Sequence, residues 1–181
     1  MTSHSRKLRV LSLALYAAMS LASTTAAWAD SQPQPFVLTA YGSAPGGRDL
    51  LHGRYPAAIE QLRVDGTDTL EPAAVSANSC VAFAMTQRWH AAQDACNAAV
   101  RDARSARSGA APWRESATIS TDRAVAAAYA DRAVMRWMDG DAHGAHVDLE
   151  RARTFAPQAR FVVRNVRALR AHPNAVLAHG S

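Results

Sequence analysis

The stretch Ala126 to Pro157, AAAYADRAVMRWMDGDAHGAHVDLERARTFAP, decides the fold. Two helical segments meet at Gly140-Asp141, where glycine tolerates the left-handed backbone of a turn and aspartate can cap the helix that follows. Pro157 then closes the second segment, because proline cannot continue a helix. Ala133 in the first helix and Ala145 and Ala152 in the second are small, and small side chains at facing positions let two helices approach closely. The stretch therefore predicts a helix running to Met138, a tight turn, and an antiparallel helix from about Asp141 to Phe155.

Working outward, the same pattern recurs. Gln87, Trp89, Ala92 and Cys96 precede Gly140, Ala142, Ala145 and Leu149 by 53 residues, and follow Gly53, Tyr55, Ala58 and Leu62 by 34. A period of 34 is characteristic of helical-hairpin repeats, and the 19-residue excess matches a loop predicted at 105–120, where Gly109, Pro112 and Trp113 lack any periodic pattern. Ser120 or Thr121 is the expected N-cap of the helix after that loop. Earlier helices are predicted over Pro72 to about Thr86 and Trp89 to about Ala103, turning at Gln87-Arg88. Tyr55, Ala58, Ile59 and Leu62 mark a shorter one that ends at Asp65-Gly66. Phe161, Val162, Val166 and Leu169 form the apolar stripe of a final helix that ends before Pro173.

Ala126 to Pro157 resembles a tetratricopeptide repeat through Tyr129, Ala133, Gly140-Asp141, Ala145, Leu149, Ala152 and Pro157. Ala73 to Ser105 resembles one through Cys80, Phe83, Trp89, Ala92, Cys96 and Ala99. The resemblance implies an all-α solenoid of about two and a half helix–turn–helix repeats with a C-terminal capping helix, spanning 48–171. Arg132 and Arg136 depart from the pattern, which prefers Leu and an aromatic there, so a wetter face is expected on that helix. In this register Cys80 and Cys96 sit at equal distances from the turn on facing helices. With two cysteines in an exported chain, a disulfide clamping the hairpin is expected.

Export is read from the N-terminus. Arg6, Lys7 and Arg9 precede an uncharged Leu- and Ala-rich run, and Ala27-Trp28-Ala29 offers a signal-peptidase site before Asp30. The apolar run is too short to cross a bilayer, so residues 1–29 are expected to be removed without leaving a membrane anchor. The three cations leave with the signal, lowering the net charge of +5 to +2. The remaining arginines are scattered among acids, which gives nucleic-acid binding little support. Residues 30–47 read as an irregular arm around Phe36-Val37-Leu38-Thr39-Ala40-Tyr41, and 172–181 as a disordered tail.

No catalytic motif is present. His143 and His146, three apart beside Asp141, are a weak pair of metal ligands and read better as solvated surface. No cofactor is expected, and enzymatic activity is not. The resemblance instead implies a groove lined by the first helix of each hairpin, here Asn78, Val81, Met85, Ala127, Val134, Trp137 and Met138. Such a groove would take a protein or peptide partner, unless the chain covers it with its own arm or with the Trp113 loop. The reading is a periplasmic or secreted interaction module. The alternatives are a small metal-binding protein or enzyme using His143 and His146, and a purely structural, self-capped domain.

Overall fold

A computed structural model describes residues 36–66, 71–109 and 115–171, and is all-helical over them. The expected signal (1–29), the tail (172–181) and Trp113 lie outside the described residues. After an extended arm, the described residues form seven helices: α1 (Gly47–Leu51), α2 (Tyr55–Asp65), α3 (Pro72–Met85), α4 (Trp89–Gly109), α5 (Glu115–Met138), α6 (Ala142–Phe155) and α7 (Arg160–Ala171). Helices α3 and α4 pair extensively, as do α5 and α6; α4 packs on α5, and α7 lies against α5 and α6.

The punctuation works as the residues suggest. Pro56 and Pro72 fall in first turns, where the missing N–H removes no helical bond. Gly140 takes φ 99°, and the Asp141 carboxylate accepts from the Gly144 N–H at 2.7 Å. The α3–α4 turn instead uses Gln87 at φ 56°, a non-glycine in the left-handed region. Small residues sit where the helices nest: Cys80, Ala92, Cys96, Ala99, Ala133, Ala145 and Ala152 are all buried, and Ala133 and Leu149 share one core cluster. Cys80 and Cys96 form a disulfide with their Cα atoms 4.6 Å apart.

Two expectations need correction. The predicted loop at 105–120 is mostly helix: residues 105–109 prolong α4 and 115–120 open α5, so Ser120 and Thr121 lie inside a helix rather than capping one. Consequently α4 has 21 residues and α5 has 24, against 14 in each of α3 and α6. The inserted residues add helical turns at the same end of both helices, and an Arg107–Asp122 ion pair ties the extensions together. Ala and Arg favour helix strongly enough to outweigh the single Gly109.

The second concerns the face carrying Arg132 and Arg136, where Arg132 is buried and only Arg136 is partly solvated. Arg132 is only 9 % exposed and forms a two-pronged ion pair with Asp148 of α6, both N···O distances being 2.8 Å. Arg136 Nη1 reaches the same carboxylate at 2.8 Å, Arg151 approaches it at 3.5 Å, and Arg132 also donates to Asn97 of α4 at 2.9 Å. Asp148 is thus a buried hub joining α5 and α6, with α4 linked through Arg132.

Candidate binding groove

The inner face is built by α3, α5 and α7, and the arm runs across all three. Each of these helices presents one polar side chain in a slot that helical spacing turns inward: Asn78 beside Ala74, Ala77 and Val81; Asp131 beside Ala127, Ala130 and Val134; Asn165 beside Phe161 and Ala168. All three polar residues are buried.

These three side chains bind alternate residues of the arm. Asn165 accepts from the Val37 N–H at 2.6 Å and donates to the Val37 carbonyl at 2.8 Å. Asp131 accepts from the Thr39 N–H at 2.8 Å and from the Thr39 hydroxyl at 2.5 Å. Asn78 accepts from the Tyr41 N–H at 2.8 Å and donates to the Tyr41 and Pro45 carbonyls, each at 3.0 Å. An extended chain advances about 6.6 Å per two residues, so one edge of the arm meets one polar group from each successive helix. Burying these groups without partners would be costly, and the arm satisfies them.

Apolar contacts hold the same segment. Phe36 is buried against Val134 and Ala168 and lies on the Trp137 ring, with centroids 4.5 Å apart and planes tilted by 44°. Val37 and Tyr41 pack on the main core cluster, and Leu38 and Ala40 on the one containing Leu50, Leu62 and Val81. After Tyr41 the chain turns sharply into α1. A side chain at Gly47 would lie 1.9 Å from the Tyr41 carbonyl oxygen, so only glycine permits the turn.

Of the seven residues expected to line the groove, Asn78 binds the arm directly, while Val134 and Trp137 pack around Phe36. Val81, Met85, Val134 and Met138 border an open cleft of about 340 Å³ beside the arm, completed by Leu38, Leu50, Leu51 and Tyr55. Ala127 belongs to the main core cluster, against which Val37 and Tyr41 pack. The arm therefore occupies the groove that the sequence leaves open to either a partner or the chain itself.

Burial pushes the Asp131 carboxyl up to about 7, against the opposing effect of its two hydrogen bonds from Thr39. The Tyr41 phenol is raised by burial and by the charge of Asp131, with Arg123 pulling it back. Because the folded value for Asp131 lies above the ordinary 3.8, the fold holds a proton that the unfolded chain releases. Its contribution to stability is complete below about pH 4 and is lost as pH rises through about 7. Melting temperature is therefore expected to fall between pH 5 and pH 8. Asp131→Asn, whose amide can still pair with both Thr39 groups, should remove Asp131's share of that fall. Identical pH profiles for the two proteins would contradict this assignment.

His143 and His146 are both exposed on α6, and no group of three or more potential metal ligands occurs among the described residues. His146 instead borders an apolar cleft of about 230 Å³ between α6 and α7, with Leu149, Val166 and Leu169. No helix among the described residues is long and apolar enough to cross a membrane. Among the buried polar residues, Asp49 and Arg132 were not anticipated as buried from the sequence, and neither were Asp148 and Asn165. A signal for the last two existed: each is a polar residue in an inward slot, Asp148 between Ala145 and Ala152, and Asn165 between Phe161 and Ala168. No family model matches this chain, and neither does any curated protein or solved structure.

Proposed function

We propose that the chain is an exported interaction module of tetratricopeptide-like build, about two and a half helical pairs with α7 as a cap, whose inner face binds an extended segment of a protein or peptide. The observation that carries this reading is the row Asn78, Asp131 and Asn165, which grips an extended segment at every second residue. Peptide recognition of this kind draws affinity from main-chain hydrogen bonds and selectivity from the pockets between them. The adjoining cleft offers apolar area for such a partner. The disulfide supports function in an oxidising compartment outside the cytoplasm. The reading needs no catalysis, cofactor, nucleic acid or membrane anchor.

One observation favours the self-capped alternative: the arm already fills the row. Selection of random displayed peptides on the immobilised exported chain separates the two readings. An interaction module should enrich extended apolar peptides that bind at least tenfold more weakly to Met138→Glu, a change at the half-exposed edge of the cleft. Enrichment no better than on an unrelated helical protein would support the self-capped domain instead.

A further inference from the structure

We propose that the arm is a built-in competitor, and that the groove's external ligand is an extended segment with an aromatic residue three positions before a threonine or serine. This rests on the peptide-binding reading above and assigns its selectivity. Three features of the arm carry it.

First, the hydrogen bonds at Val37 and Tyr41 involve only main-chain atoms of the arm, so Asn165 and Asn78 set no side-chain requirement there, although the Val37 and Tyr41 side chains also pack on the main core cluster. Thr39 differs. Its hydroxyl fills one oxygen of the buried Asp131 carboxyl while its N–H fills the other. A ligand without a hydroxyl at that position leaves a buried oxygen unpaired, and a site built to pair with a polar group rejects analogues lacking it far more strongly than it ranks apolar ones. Second, the aromatic contact of Phe36 with Trp137 lies three residues before Thr39 at the end of the row. Together, the two contacts define a spaced pattern, aromatic-x-x-Thr/Ser.

Third, the arm is held along one edge only. Leu38 and Ala40, the residues between the gripped ones, pair their main-chain groups with nothing in the described structure. The segment is tethered by the Gly42–Gly47 turn rather than woven into a sheet, so it can leave as a unit. A tether of this kind gives the arm a local concentration in the millimolar range. An external segment with the same contacts must overcome that advantage, which keeps the site closed to weak ligands.

The probe is a fluorescein-labelled peptide, Phe-Val-Leu-Thr-Ala-Tyr, followed by anisotropy against the full exported chain and against the Phe36→Ala/Thr39→Val variant, whose arm is weakened. The weakened chain should bind at least tenfold more tightly than the original. A peptide with Ser for Thr should retain affinity, and one with Val for Thr should lose at least tenfold. Equal binding of the Thr and Val peptides would overturn the selectivity while leaving the groove reading intact. Failure of every peptide to bind a weakened chain that still unfolds cooperatively would overturn both. If that chain does not fold, amide exchange at Val37, Thr39 and Tyr41 in the original protein is decisive. Millimolar Thr peptide should accelerate it and the Val peptide should not; unchanged protection with the Thr peptide, or equal acceleration by both, overturns the proposal.

Discussion

Asp148→Ala is expected to cost about 3–5 kcal/mol of folding stability, because it leaves Arg132 as an uncompensated cation inside the α5–α6 pair. Asp148 is fully buried, and Arg132 has its guanidinium committed to that carboxylate through two parallel bonds. In the variant, Asn97 remains a hydrogen-bond acceptor for Arg132, but it is neutral. A domain of this size loses about 2–4 °C of melting temperature per kcal/mol, so a fall of roughly 10 °C should follow.

The same reasoning orders a series of variants. Arg136→Ala should be mild, about 1 kcal/mol or less, since Arg136 is partly solvated and Asp148 keeps Arg132. The double change Arg132→Met/Asp148→Leu should recover most of the loss, because removing both charges together leaves nothing unpaired. Urea unfolding of the four proteins tests the order. An Asp148→Ala midpoint equal to the original would show that the carboxylate is not the hub described.

That hub also marks where the sequence was hard to read. The helical pairs were legible because their determinants are local. Gly140-Asp141 makes its turn and cap within four residues, and Ala92, Ala99, Ala145 and Ala152 recur at the spacing of a nesting face. The cysteines followed from their symmetric distance to the turn at Gln87. By contrast, Arg132 read as a solvated residue and Asp148 and Asn165 were passed over, because a polar side chain inside a helical pattern gives no hint of a partner from another helix. Position is the better guide than polarity: Asp148 and Asn165 fall in inward slots just as Asn78 and Asp131 do. The segment 105–120 misled for a related reason. Gly109 and Pro112 are strong local breakers, but helix–helix packing and the Arg107–Asp122 pair continue the helices on either side of them. Occupancy of the groove was likewise undetermined, since the affinity of 36–41 for it lies in three contacts distant in sequence.

Cys80→Ala/Cys96→Ala is expected to lose about 3 kcal/mol, the chain-entropy value for releasing a loop of roughly 15 residues, with a further loss where the sulfur atoms leave space. The need for the clamp follows from what the α3–α4 hairpin buries. Its local core consists of Cys80, Ala84, Ala92, Cys96 and Met135, with Phe83 and Ala95 at the edge. Alanine lets the helices come close but removes little apolar surface from water per residue, so this core offsets less of the chain's ordering entropy than a Leu-rich one would. A covalent link acts on the other side of the balance, by restricting the unfolded chain. The double variant should therefore show a larger urea m-value as well as a lower midpoint, because its unfolded state exposes more surface. Loss of stability with an unchanged m-value would point to native packing of the sulfur atoms instead. Free thiols in non-reducing mass spectrometry of protein purified from its native compartment would remove the clamp altogether.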